Sequence, residues 1–99
     1  MLFLNGVTDV LKEIATRVKD RRLQLELTQQ GLAHRSGVSL GSIKRFEQSG
    51  KISFESLVKI AFVLDMHHQF EEFFQPQEVY KSLDDVMKTE KKRQRGSIT

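Results

Sequence analysis

The chain has 99 residues, the length of one domain, which leaves room for about five short helices or two small sheets. Charged residues make up 29% of it and the mean hydropathy is -0.40, so we expect neither a membrane span nor a signal peptide. The lack of Cys excludes disulfides, zinc fingers and thiol catalysis and fits a reducing compartment such as the cytoplasm. The net charge of +3 suggests an acidic partner.

The charges are sorted along the chain. Between residues 35 and 51, four basic residues are opposed only by Glu47. Between residues 65 and 85 the sign reverses, with six acidic residues against Lys81, and the last residues are basic again. This distribution suggests that separate parts of the surface meet different partners, although each charge run taken singly could equally be solvated surface.

Apolar residues recur at helical spacing along most of the chain, and no stretch alternates with the period of two that a strand would show. The first helix is expected to begin after a cap at Thr8 or Asn5 and to end at Leu27–Thr28. Its apolar arc contains Val10, Leu11, Ile14, Val18 and Leu25.

The middle of the chain carries start and stop signals for two short helices. Thr28 is expected to cap a helix over 29–36, which Gly37 ends in the left-handed conformation. Ser39 is expected to cap a second helix over 40–48, which Ser49–Gly50 closes. This layout is that of a helix-turn-helix, in which the second helix enters the DNA major groove. Layout alone is weak evidence, because many helical bundles contain such pairs.

Two more helices complete the predicted all-α fold. Ser53 is expected to cap a fourth helix, and a fifth is expected over 67–74, before the single proline, Pro76. The buried face of the fourth helix is expected to contain Phe54, Leu57, Val58, Ile60, Ala61 and Leu64. We therefore expect a DNA-binding domain over 1–75 and a tail over 76–99, with a short helix over 83–92, capped by Ser82, and a basic end.

The second helix of the pair has an outward face that is small or basic. At about 100° per residue, Ile43 and Phe46 point towards the core together with Ser42. The opposite side carries Leu40, Gly41, Lys44, Arg45 and Gln48. An Arg there is suited to bidentate hydrogen bonding with guanine. The alternative is a solvated helix with two chance cations.

Residues 17–64 resemble the Cro and phage-repressor family of helix-turn-helix DNA-binding domains. The resemblance rests on Val18-Lys19-x-x-Arg22, Leu27-Thr28-Gln29-x-x-Leu32-Ala33, Ser36-Gly37-Val38-Ser39, Ser42-Ile43, Phe46-Glu47 and Leu57-x-x-Ile60-Ala61-x-x-Leu64. It implies a compact five-helix bundle of the lambda-repressor type that binds double-stranded DNA.

The resemblance also implies roles for single residues. The residues that would face the bases are Ser39, Leu40, Gly41, Lys44 and Arg45. Those that would contact phosphates are Thr28, Gln29, Gln48, Ser49, Lys51 and Ser53. Arg22 and Glu47 would form a structural ion pair. Leu40 and Gly41 depart from the family pattern, because polar base-readers are common there, which narrows direct readout towards Ser39, Lys44 and Arg45.

The second half of the chain has more large apolar residues than one small core requires, which suggests a homodimer on a pseudo-palindromic operator. The candidate contact residues are Phe62, Val63, Met66, Phe70, Phe73 and Phe74. Alternatively, the last helix folds back onto its own domain. The apolar run Met1–Leu4 could pack across the dimer or form a disordered terminus.

A narrower resemblance, over residues 37–47 and the tail residues 92–96, is to small bacterial regulators that accompany kinase-like Hip-type toxins. The expected function is a repressor that regulates its own operon, with a role as the antitoxin of a kinase-like toxin as a further hypothesis. A helical protein-interaction module that has lost DNA binding is the alternative. No cofactor, metal site or catalysis is expected, since no nucleophile–base pair stands out and His34, His67 and His68 lack companion ligands at metal spacing.

Overall fold

The computed structural model describes residues 6–76 of the chain. This range forms five helices and contains no strand: α1 Val7–Gln24, α2 Gln29–Ser36, α3 Leu40–Ser49, α4 Phe54–Val63 and α5 His68–Phe73. The prediction of an all-α, five-helix fold is therefore confirmed. The predicted helix over 83–92, the basic tail and the run Met1–Leu4 lie outside the described residues.

Local capping signals set the limits of the three middle helices. The hydroxyl groups of Thr28, Ser39 and Ser53 each accept a hydrogen bond from the backbone N–H three residues later, at 2.9, 3.2 and 3.1 Å. Gly37 and Gly50 end α2 and α3 in the left-handed conformation, with φ of 76° and 80°. These five predictions from the sequence are confirmed.

The limits of α1 differ from the prediction. Its N-cap is Gly6, whose N–H donates to the Asp9 carboxylate at 3.3 Å, and Thr8 lies inside the helix, so the cap proposed at Thr8 was wrong; Asn5 lies outside the described residues. The helix ends at Gln24, and Glu26 then turns the chain with a φ of 57°. Leu25, the C-cap residue, is 41% exposed, although the sequence pattern placed it in the apolar arc of the helix.

The core lies where α1, α2, α3 and α4 meet. Its largest fully buried side chains are Leu32, Ile43, Phe46, Ile60 and Leu64. Burial of side chains of this size is the main stabilising contribution in a chain without disulfides. None of the helices within residues 6–76 is long and apolar enough to cross a bilayer.

Several aromatic side chains in the second half of the chain are not buried in this core. Phe54, predicted to be buried, is 64% exposed, because it lies in the first turn of α4 and packs only its ring edge against Phe70, at 5.6 Å between centroids. Helix α5 has six residues and none is buried. Among the candidate dimer residues, Val63 and Met66 pack against the core of their own chain. The most exposed candidates are Phe62 (61%), Phe73 (59%) and Phe74 (74%).

Candidate nucleic-acid interface

Helices α2 and α3 are held at a fixed angle by the three-residue turn between them. Val38, in the middle of the turn, is buried in the core, and its backbone N–H donates to the Ser36 hydroxyl at 3.1 Å. Gly37 supplies the left-handed conformation that ends α2, and Ser39 caps α3. Since the caps lie on both sides of a buried anchor, the turn orients α3 with respect to α2.

The outer face of α3 contains no acidic side chain. Four of the five predicted base-facing residues, Ser39, Gly41, Lys44 and Arg45, are exposed, and Leu40 is half-buried. Ile43 and Phe46 on the opposite face are buried in the core. The outer face of α3 is therefore positively charged and otherwise small or uncharged, which suits the phosphate-lined major groove of DNA.

Ser42 belongs to this outer face, although the sequence pattern assigned it to the core side. It is exposed, and its hydroxyl oxygen accepts a hydrogen bond from the Ser39 hydroxyl at 2.8 Å. The Ser39 hydroxyl also accepts from the Ser42 backbone N–H, so its donor and one of its acceptor positions are already used. Ser42 thus adds a hydroxyl group next to the predicted base-readers. The Ser39 hydroxyl is partly unavailable to DNA, because it already caps the helix.

A polar groove of about 330 Å³ lies between α3 and the start of α4. Its lining contains two cations, Arg45 and Lys51, together with Ser42, Ser53 and Ser56. The N-terminal end of α4 opens nearby, so the backbone dipoles of that helix add to the positive potential. This combination of charge and hydroxyl groups is suited to a phosphate. Ser42 and Ser56 were missed in the sequence because only the tertiary fold brings them beside Lys51.

The other predicted phosphate ligands differ in which of their hydrogen-bonding atoms are already used within the protein. Gln48 is exposed. Thr28 and Ser53 use their hydroxyl oxygens as helix caps and keep the hydroxyl hydrogen for donation. Ser49 donates its hydroxyl hydrogen to the Arg45 carbonyl at 2.7 Å and accepts from the Lys51 N–H at 3.2 Å. A contact between the Ser49 side chain and DNA would require this hydroxyl to rotate.

A polar network ties α1 and the start of α2 to α3. Arg22 of α1 and Glu47 of α3 form an ion pair at two points, with Nε–Oε2 at 2.8 Å and Nη2–Oε1 at 3.0 Å. Gln29, the first residue of α2, donates its side-chain amide to the same Oε1 at 3.0 Å, and Arg22 Nη1 donates to the Leu27 carbonyl at 2.7 Å. The network therefore connects α1 to the two helices that would approach DNA, and one amide hydrogen of Gln29 is already engaged within it.

The protonation state of Glu47 depends on this network. Its side chain is only 5% exposed, and burial by itself raises the pKa of the carboxyl. The hydrogen bonds from Arg22 and Gln29 and the positive charges of Arg22 and Lys19 outweigh burial and lower the pKa below its usual value. Glu47 is therefore a carboxylate at neutral pH.

Three residues after α4 come closer together than their spacing suggested. The possible ligand atoms of Asp65, His67 and His68 all lie within 4.8 Å of one another. Around a zinc ion, bonds of about 2.0–2.2 Å keep neighbouring ligand atoms closer than that, so these side chains would have to move to share one ion. His67 instead stacks on Phe62, with 4.1 Å between ring centroids.

A comparison with known protein families agrees with this arrangement. The family model described as helix-turn-helix matches residues 18–70, slightly more than half of the chain. The match includes α2, the turn, α3 and α4, and it contains every residue of the polar groove. No curated protein matches the chain.

Proposed function

Because the chain belongs to the helix-turn-helix family of the Cro and phage-repressor type and is thus a DNA-binding transcription regulator, we propose that it is a sequence-specific repressor. It would act in the bacterial cytoplasm on the promoter of its own operon. The proposal assigns a binding function and no catalytic one. The observation that carries it is the outer face of α3, where Lys44 and Arg45 stand exposed without an acidic neighbour while Glu47 is turned inward.

In this proposal, α3 enters the major groove and the polar groove receives a backbone phosphate. Lys44 and Arg45 would reach the base edges together with Ser42, while Lys51 and the N-terminal end of α4 would bind the phosphate. Arg45 also lines the polar groove, so it could serve either purpose. Variants of Arg45 and of Lys51 therefore distinguish the base-reading role from the phosphate role.

We also propose that the protein binds DNA as a homodimer. A single short recognition helix contacts few base pairs, and two copies related by a twofold axis would place their α3 helices about 34 Å apart on a pseudo-palindromic operator. The exposed ring of Phe62 supplies apolar surface for such a contact.

The deciding experiment is an electrophoretic mobility shift with the DNA upstream of the protein's own reading frame, at two salt concentrations. A repressor of its own operon should shift this DNA at moderate salt in preference to random DNA, and its affinity for both should fall steeply as salt rises. Lack of any shift at moderate salt would instead favour the alternative function, a helical protein-interaction module. The half-buried Leu40 and the bare Gly41 at the start of α3 are the observations that favour that alternative.

An antitoxin role is the most specific part of the proposal, and it rests on the resemblance to regulators that accompany kinase-like Hip-type toxins. The neighbouring reading frame tests it directly, since a kinase-like neighbour is expected. If one is found, co-expression should yield a complex of the two proteins. If the neighbouring reading frame encodes a protein that is not kinase-like, the antitoxin role is contradicted, and the proposal of DNA binding is not affected.

A further inference from the structure

An apolar groove of about 350 Å³ lies between α1, α4 and α5, away from the polar groove described above. Val10, Ile14 and Val18 of α1 form one wall, and Leu57 of α4 and Phe70 of α5 belong to the other side. Among the described residues that line the groove, Arg17 is the only charged one. A volume of this size, with walls of this kind, is typical of a binding site.

The rim of this apolar groove is strongly exposed. Phe54, Phe73 and Phe74 contribute to it, and their exposed fractions are 64%, 59% and 74%. Single exposed apolar residues are ordinary, but three phenylalanines around one concave apolar surface are unfavourable in water. We therefore expect another segment to cover them.

The chain itself supplies such a segment at the end of the groove. Phe74 is followed by Gln75 and Pro76, where the described residues end, and 23 further residues remain, 77–99. Near their start, after Gln77 and Glu78, lie two apolar residues, Val79 and Tyr80. After the capping signal at Ser82 they continue with Leu83, Val86 and Met87, whose i, i+3, i+4 spacing is that of one helix face.

Chain length also favours this segment. Tyr80 lies four residues beyond Pro76, so it can be at most about 14 Å away along the chain. A tether this short gives an effective concentration in the millimolar range, above the micromolar concentrations at which a second copy would compete.

We propose that residues 77–87 fill the apolar groove of their own chain, with Leu83, Val86 and Met87 against its walls and Tyr80 beside Phe73 and Phe74. The segment thereby becomes part of the folded domain. The exposed ring of Phe62 lies outside the groove and stays available for a second copy. The proposal does not depend on DNA binding, so either can fail without the other.

Tyr80 is a built-in probe for this proposal, because it is the single Tyr of the chain and there is no Trp. Acrylamide quenching of its fluorescence should be measured on the full chain, at low and at high micromolar concentration, and compared with the same chain in urea. We expect quenching of the native protein to be several-fold weaker than in urea and equal at both concentrations. Quenching as strong as in urea would overturn the proposal.

Variants locate the contact within the groove. Phe73→Ser, Phe74→Ser and Leu83→Ser should each restore strong quenching while the helical circular dichroism is retained. Phe62→Ser is the matched control, because this ring is similarly exposed but lies outside the groove, and it should leave quenching weak. Weak quenching that survives the groove variants would contradict the assignment, and weak quenching only at high concentration would show that a second copy covers Tyr80 instead.

Discussion

Arg22 and Glu47 are 25 residues apart in the chain and form the two-point ion pair that joins the first helix to the recognition helix α3. Their side chains are only 7% and 5% exposed. Two charges this far from water are tolerated because each satisfies the other and because Leu27 and Gln29 occupy further hydrogen-bonding positions. The stability of the domain and the orientation of α3 thus depend on the same contact.

Removing one partner should therefore be costly. Glu47→Ala leaves the Arg22 guanidinium buried without its carboxylate, and we expect the free energy of unfolding to fall by about 3–5 kcal/mol. Glu55→Ala is the control, because it removes a carboxylate that pairs with Lys59 in water on α4, and such exposed pairs contribute about 0–1 kcal/mol. Urea denaturation of both variants measures the difference, and equal losses would contradict a structural role for the buried pair.

The same carboxylate should make stability depend on pH. Glu47 has a lower pKa in the folded protein than the usual value of about 4.3, so the unfolded chain binds this proton first when the pH falls. Its contribution is therefore complete above about pH 4.3 and is lost as the pH falls through the folded-state pKa. We expect the gap in unfolding free energy between the wild type and Glu47→Gln to be constant from pH 7 to 5 and to narrow as the pH falls further. A gap that stays the same throughout the acid range would refute this assignment.

The two glycines that end α2 and α3 should respond differently to the same substitution. Both have positive φ, so an added Cβ costs about 1–2 kcal/mol at each. At Gly37 the Cβ would meet nothing within 4 Å, whereas at Gly50 it would lie 2.6 Å from the backbone carbonyl carbon of Leu11. Gly50→Ala should therefore lower the melting temperature clearly more than Gly37→Ala. Similar shifts, measured by circular dichroism, would mean that α1 can move away at no cost.

The cations of the DNA-binding surface should separate into two classes. Lys51→Ala should weaken binding to operator and random DNA alike and reduce the salt slope by about 1, because it removes a phosphate contact. Lys59→Ala is the matched control, since its ammonium already pairs with Glu55 at 3.3 Å, and it should change affinity little. Fluorescence anisotropy titrations at several salt concentrations provide both affinity and slope. If the salt dependence of affinity is unchanged in Lys51→Ala, the proposed binding of a phosphate in the polar groove is wrong.

Arg45 provides the corresponding test of base readout. If it reads a base edge, Arg45→Ala should relax the preference at one operator position by about 1–3 kcal/mol. If it only neutralises phosphate within the polar groove, the variant should behave like Lys51→Ala. Binding to a set of operators with single base changes distinguishes these results, and unchanged discrimination between operator and random DNA would show that the base-reading assignment is wrong.

The features predictable from the sequence are those set by neighbouring residues. A Ser or Thr cap acts on the N–H three residues later and a left-handed Gly acts on its own turn, so the limits of α2 and α3 follow from short motifs. The start of α1 was missed because Gly6 has no capping side chain and Asp9 reaches back to it instead. An acidic residue in the first turn is a weaker signal for the exact helix start than a Ser or Thr cap, because acidic residues occur at several positions near helix starts.

The features that could not be predicted need contacts between distant segments. Nothing near Gln29 in the chain indicates that its amide binds Glu47, and nothing near Ser42 indicates that it lines a groove with Lys51. Phe54 has the spacing of a buried residue, but among the described residues its ring contacts Phe70 and is still 64% exposed. Periodicity shows which side of a helix is apolar, and only the tertiary fold decides how much of that side finds a partner.

The close approach of Gly50 to Leu11 also affects which DNA sequences fit. The end of α3 rests on the backbone of α1, Glu47 pairs with Arg22, and Ile43 and Phe46 are buried in the core. Helix α3 therefore cannot shift without breaking contacts in three places. The cost of fixing its position is therefore met during folding and not during binding. The domain acts as a stiff template to which the duplex must adjust, and operators that bend easily between their half-sites should be preferred even at base pairs that no side chain touches.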